Sequence, residues 1–153
     1  MIAVGGTFDE FHKGHRVLIL KAFEVGVNVL IGLCTDEFAK KLRKNHEFAP
    51  YEERLNELRS FLRKNGLFHR AEIVPLRDPY GPAVSNSEIE AIVVSHETEP
   101  RAYEINGMRR KKGLPSLAVV TIEMVPSEDE IPISSSRIHL RQIDREGHLL
   151  RKG

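Results

Sequence analysis

The sequence predicts a single-domain α/β fold: an open, doubly wound, Rossmann-like parallel sheet of about five strands. Three observations predict it. Short apolar runs alternate with stretches of helical period along the whole chain, the pattern of strands paired in parallel through crossover helices. One of the runs, Val27 to Cys34, is apolar enough to be covered on both faces, as an interior parallel strand is. The 153 residues suffice for one domain with a real core, and no linker, internal repeat or low-complexity stretch divides them.

Taken in order, Ile2 to Gly6 is a short strand closed by two glycines, and Gly14 to Val25 is a helix with Val17, Leu18, Leu20 and Phe23 on its apolar side. Val27 to Cys34 is the second strand. Asp36 then caps a short helix to about Leu42, and Pro50 opens a clearer one from Tyr51 to Lys64, followed by Gly66. The alternation continues with a strand from Ala71 to Leu76, a loop over Asp78-Pro79-Tyr80-Gly81-Pro82, and a strand from Ala91 to Ser95. A basic helix from Arg101 to Lys112, a strand from Leu117 to Val125, an acidic loop from Ser127 to Ile131 and a last helix starting near Ser134 complete the chain. In such sheets ligands sit beyond the carboxyl ends of the strands, so the loops after strands are where chemistry is expected.

Composition narrows the function classes. The 23 Lys and Arg against 22 Asp and Glu leave a formal charge of +1, which gives no footprint for nucleic acid or an anionic membrane. An anion must be held by local clustering instead. The chain has no Trp, and its one cysteine, Cys34, ends a buried strand and is expected to be inert packing. Neither an internal disulfide nor a cysteine-rich zinc site is available. No apolar run approaches the roughly 18 residues of a spanning helix, and the N-terminus reads as a strand. A soluble cytoplasmic protein is expected, with no nucleic-acid or membrane partner.

Two segments carry chemistry. Gly5-Gly6-Thr7-Phe8-Asp9-Glu10-Phe11-His12-Lys13-Gly14-His15 joins the first strand to the first helix. The glycine pair allows a tight turn and close approach to a ligand. Gly14 keeps the helix start free of a Cβ, and the helix N-terminus is a seat for phosphate. His12 and His15, three apart, project toward that seat from one side and can each donate a hydrogen bond to a phosphate oxygen; Thr7 adds a hydroxyl. The second segment, Ile133-Ser134-Ser135-Ser136-Arg137-Ile138, stands at another loop-to-helix junction. Ser134 alone would read as a helix cap, but three hydroxyls followed by a guanidinium exceed what capping needs and make a second phosphate cradle.

Together these motifs resemble, in order and separation, those of the HxGH nucleotidyltransferase superfamily. Within it, from Met1 to about Gln142, the chain is similar to the archaeal phosphopantetheine adenylyltransferase family. That resemblance implies adenylyl transfer from ATP to 4′-phosphopantetheine by in-line displacement, giving dephospho-coenzyme A and pyrophosphate. It implies that His15 contacts the α-phosphate region and His12 the β/γ side. Thr7 and the Phe8 N–H lie where relatives bind the acceptor phosphate or ATP, beside Gly14, and Ser134, Ser135, Ser136 and Arg137 grip the leaving pyrophosphate. A lysine after the second strand is implied to bridge the acceptor phosphate and the α-phosphate. Lys41 is favoured, then Lys40 and Lys44, against the plain reading of a solvated basic helix face.

Ser95 and the segment after the fourth strand look like the family's adenine and ribose region, with Glu104 the best match to a purine- or ribose-contacting carboxylate. The Gly-Leu-Arg of bacterial relatives is missing there. Arg101 is assigned to the acceptor, and Arg109 reaches ligand or solvent. Mg²⁺ bound with ATP is the implied cofactor, held largely by phosphate oxygens and water, and no carboxylate cluster constitutes a metal cage. The Arg109-Arg110-Lys111-Lys112 run reads as a solvated helix end, and His46, His69, His139 and His148 as surface residues. A monomer is expected. Alternatives that keep the chemistry are a cytidylyltransferase or another phosphate acceptor; one from a different class is a non-catalytic ATP sensor.

Overall fold

A computed structural model describes residues 1–42 and 47–150. Its strands are β1 (Ile2–Gly6), β2 (Val29–Cys34), β3 (Ala71–Leu76), β4 (Ala91–Ser95) and β5 (Ala118–Ile122). The helices are α1 (Lys13–Val25), α2 (Asp36–Leu42), α3 (Tyr51–Lys64), α4 (Glu99–Lys111) and α5 (Ser135–His139). All five strands pair in parallel in the order β3-β2-β1-β4-β5, as the alternation of periods predicts.

The side-chain period of two divides the core between the faces of the sheet. Ile2 and Val4 of β1 join Val29, Ile31 and Leu33 of β2 in a cluster with Ile19 and Phe23 of α1 and Leu58 and Leu62 of α3. Ala3 and Leu30, one residue out of phase, pack on the other face with Ile105 of α4, Ala83, Ile89 and Leu117. Both faces are therefore covered, and the apolar character of β2 follows from its six buried residues. Among the described residues no helix is long and apolar enough to cross a membrane.

The boundaries move where local pattern misleads. β2 begins at Val29, leaving Val27 71% exposed, and β5 ends at Ile122, so that Glu123 to Val125 leave the sheet. α4 begins at Glu99, because Pro100 is tolerated in a first turn whose N–H groups lack helical partners anyway. The basic run at its end is not uniformly solvated. Arg109 is buried, and its guanidinium donates to the carbonyls of Pro115 (2.8 Å), Ala83 (2.7 Å) and Asn86 (3.0 Å). It thereby stitches the segment before β4 to the α4–β5 connection. Arg110, Lys111 and Lys112 are exposed, as expected.

The chain leaves β1 for β2 and β3 on one side and returns to lay β4 and β5 on the other. The carboxyl ends of β1 and β4 thus flank the switch point, where a doubly wound sheet opens a crevice.

Candidate functional site

The turn after β1 is built under strain. Phe8 (φ 52°) and Glu10 (φ 59°) both adopt the left-handed conformation, which disfavours a Cβ by roughly 1–2 kcal/mol per residue. The surroundings hold them there. Phe8 is buried, with its ring edge-on to that of His15 (centroids 5.3 Å apart, 85°), and Asp9 between the two strained residues is 1% exposed. Below the turn the buried Arg54 of α3 donates to the carbonyls of Thr7 (2.9 Å), Cys34 (2.8 Å) and Ala49 (2.8 Å) and pairs with Asp36. One guanidinium therefore joins the ends of β1 and β2 to the starts of α2 and α3.

At the head of α1 the two histidines cap one another. His12 Nδ1 accepts the His15 N–H (3.3 Å), and His15 Nδ1 accepts the His12 N–H (3.2 Å). The rings stack with centroids 3.6 Å apart. With Nδ1 an acceptor in both, the proton of each neutral imidazole sits on Nε2, so the edge turned away from the backbone is a donor. That is the form suited to a phosphate oxygen. Gly14 is required between them, because a Cβ there would stand 2.9 Å from His12 Cε1.

Of the three serines, two have local duties. Ser134 Oγ caps α5 by accepting the Arg137 N–H (3.2 Å), and the buried Ser135 Oγ donates to the Asp9 carbonyl (3.0 Å). Ser136 is exposed. Arg137 turns to the acidic loop after β5: it pairs with Asp129 (2.5 Å) and donates to Ser127 Oγ (2.9 Å) and Gln142 Oε1 (3.1 Å). The guanidinium and the Ser127 hydroxyl hold the Asp129 carboxyl well below its ordinary range, at about 2.

Both motifs meet at one cavity of about 370 Å³ beyond the ends of β1 and β4. Gly6, Thr7, Phe8, His12, Gly14 and His15 line one side, and Ser134, Ser135 and Ser136 another. The remaining wall holds Ser95, Glu97 and Thr98 of the segment after β4, together with Glu123, a carboxylate that no sequence motif marked. A smaller, mainly apolar slot of about 60 Å³ lies on the α4 face and shares Gly5 and Thr98 with the larger cavity. Arg101, assigned to an acceptor, lines this slot, as does Tyr80.

Other expected residues stand elsewhere. Glu104, expected at a purine, is off the main cavity's lining; its carboxylate accepts from the Tyr80 hydroxyl (2.7 Å) beside the slot. Arg137 is likewise off the lining, because Asp129 holds its guanidinium. Lys40 and Lys41 are exposed on the last turn of α2 and line neither space, and Lys44 and His46 lie outside the described residues. His139 is not a plain surface residue: its Nε2 lies 2.8 Å from the buried Asp9 carboxylate. Among the described residues only Asp9, Glu10 and His139 gather metal-type ligand atoms within 4.8 Å, and none of the three lines the cavity. Glu10 is already paired with Arg145, and Asp9 with the Ala49 N–H.

A turn strained at Phe8 and Glu10, a donor-edged histidine pair and a serine wall surround one switch-point cavity, a geometry suited to phosphate. The chain belongs to the cytidylyltransferase-like family, whose model matches residues 3–141. It is 48% identical over 153 residues to the phosphopantetheine adenylyltransferase of Methanothermobacter thermautotrophicus, covering 99% of this chain and 90% of that one. It is 47% identical over 137 residues to the enzyme of the same name from Methanopyrus kandleri, covering 90% and 87%. Among solved structures, a protein of unknown function from Archaeoglobus fulgidus superposes with a TM-score of 0.71 at 30% identity, covering 79% of this chain and 87% of that one.

Proposed function

We propose that this protein transfers the adenylyl group of ATP to 4′-phosphopantetheine, giving dephospho-coenzyme A and pyrophosphate. The observation that carries the reading is the convergence of both motifs on one cavity that adjoins an apolar slot. Relatives at 48% and 47% identity bear the name of this activity. The triphosphate lies along the head of α1, between the histidine pair and the serine wall. The acceptor's pantetheine arm enters the slot past Arg101 and Tyr80, and its phosphate reaches the α-phosphorus near Gly5 and Thr98, which line both spaces.

An oxygen of the acceptor phosphate attacks the α-phosphorus in line, the bond to the bridging oxygen breaks, and pyrophosphate leaves with the electron pair. Such chemistry rests on positioning and on charge stabilisation rather than on a covalent enzyme intermediate. His15 Nε2–H faces the α-phosphate and takes up charge developing in the transition state. His12 Nε2–H faces the β/γ side, Thr7 and the Phe8 N–H the junction with the acceptor, and Ser136 the departing pyrophosphate. A lysine of the α2 end, Lys41 before Lys40, reaches the acceptor phosphate from outside both spaces. ATP enters as its Mg²⁺ complex, in which phosphate oxygens and water hold the ion.

Pyrophosphate release from ATP or CTP with a panel of phosphorylated acceptors tests the reading. Release is expected with ATP and 4′-phosphopantetheine. Release with CTP and a phosphorylated alcohol, but not with this pair, would overturn it.

A further inference from the structure

Asp9 is buried and ionisable, yet it lies outside the cavity lining and has no part in the reaction just described. Its contacts give it a different use. One carboxylate oxygen accepts the Ala49 N–H (3.0 Å), and the other lies 2.8 Å from His139 Nε2. Its backbone carbonyl accepts from Ser135 Oγ (3.0 Å). Two of the three partners belong to α5, more than 120 residues further along the chain. The same residue stands between the two left-handed positions of the first turn, whose neighbours Thr7 and Phe8 do line the cavity.

We infer that Asp9 and His139 are positioning residues that lock the serine wall onto the β1–α1 turn, so that the two halves of the triphosphate site keep one spacing. Asp9 receives α5 twice, through its carbonyl and through its carboxylate. Neither Asp9 nor His139 touches the cavity, so both act through Ser134 to Ser136 on one side and Thr7 to Phe8 on the other. A contact of this kind bears on rate because misplacing a group by about 1 Å can lower catalysis on the order of 10²-fold. A carboxylate buried to this degree also keeps its place only while its partners remain. His139 is the partner that a single substitution removes without entering the site.

The inference rests on the proposed reaction only for its rate measurement; ATP affinity measured by calorimetry without acceptor does not depend on which acceptor is right. His139→Ala is expected to weaken ATP binding and to lower kcat by about 10–100-fold, with the acceptor KM unchanged. His139→Gln, whose amide N–H can donate to the Asp9 carboxylate, is expected to recover most of both losses. A loss of melting temperature shared by the two variants, without a matching difference in ATP Kd and kcat, would reduce the pair to a structural contact and overturn the inference. So would equal losses in the Ala and Gln variants, or normal values in both. If His139→Ala does not fold, His139→Leu, which fills the volume of the ring and cannot donate to Asp9, takes its place in the comparison with His139→Gln, with the same expected and overturning results. A wild-type protein that binds ATP but releases no pyrophosphate with phosphopantetheine would remove the proposed acceptor and leave the ATP comparison standing.

Discussion

His12 and His15 hold each other in place: each ring nitrogen Nδ1 accepts the other residue's backbone N–H, and the stacked rings lie 3.6 Å apart. A helix start normally borrows a Ser, Thr or Asp for this purpose. Here the caps are the two imidazoles proposed to contact phosphate, so the arrangement that satisfies the first turn of α1 also fixes the tautomer of both rings. Structure and chemistry cannot be separated at this helix start.

Removal of His15 is accordingly expected to act on rate first. Loss of one donor aimed at developing charge lowers kcat by about 10²–10³-fold, roughly 3–4 kcal/mol. The cap lost with it lowers unfolding free energy by about 0.5–2 kcal/mol, too little to unfold a domain of this size. Steady-state rates and urea unfolding of His15→Ala check both numbers. An unchanged rate in folded protein would remove His15 from the catalytic centre.

Gly14 yields a second expectation. In an ordinary helix Gly→Ala adds up to about 1 kcal/mol of stability. The Cβ of Gly14→Ala would stand 2.9 Å from Cε1 and 3.0 Å from Nδ1 of His12, so the ring must move and the reciprocal cap loosens. The variant should gain no stability and should lose about 10–100-fold in kcat/KM. Higher stability with normal kinetics would show that His12 does not depend on the missing Cβ.

The strands and long helices were legible because their periods are local, and both motifs were legible because they stand at junctions between a loop and a helix. What stayed hidden depends on distance along the chain. Arg109 reads as part of a solvated helix end and no local pattern marks Arg54, yet both are buried, because carbonyls from remote segments converge on them. Asp9 and His139 are 130 residues apart, so no spacing rule pairs them. Glu123 joins Glu97 at the cavity only because β4 and β5 end side by side. Ser134, Ser135 and Arg137 read as one phosphate cradle, and no local pattern shows that Ser134 also caps α5, that Ser135 ties to the Asp9 carbonyl or that Arg137 pairs with Asp129.

Arg54 predicts a large stability effect. Arg54→Ala would orphan the carbonyls of Thr7 and Cys34 and take from Asp36 its cation, leaving it the Tyr51 N–H. Breaking a buried charged network commonly costs about 3–5 kcal/mol. Because the exposed side of Asp36 can recover water, the lower end of that range is expected. Equilibrium unfolding measures it, and a cost below about 1 kcal/mol would place this guanidinium among ordinary surface charges.

Acid should weaken the tie between α5 and the acidic loop after β5. Asp129 is held at about 2 in the folded chain against an ordinary value of 3.8, chiefly by Arg137 and then by Ser127. A lowered folded value means that this contribution is complete above about pH 4 and is lost as pH falls from 3.8 toward 2. Stability should fall across that window, and Asp129→Asn should flatten the fall by lacking the group that titrates. The same slope in Asp129→Asn as in the parent chain would assign the acid limb to other carboxylates.

Glu104 separates two geometries for the acceptor. The family resemblance implies a purine or ribose contact, whereas its carboxylate holds the Tyr80 hydroxyl beside the apolar slot (2.7 Å). Asp78 fixes the same loop from within, accepting the N–H groups of Tyr80 (2.9 Å) and Gly81 (2.7 Å). The Glu104 contact is thus a tie between this loop and α4, and it acts on whatever occupies the slot. Glu104→Ala should raise the acceptor KM several-fold, as expected for loss of about 0.5–1.5 kcal/mol of net hydrogen bonding, and leave the ATP KM unchanged. Tyr80→Phe removes the other end of the same bond and should reproduce the effect. A rise in the ATP KM instead, with the acceptor KM unmoved, would return Glu104 to the nucleotide.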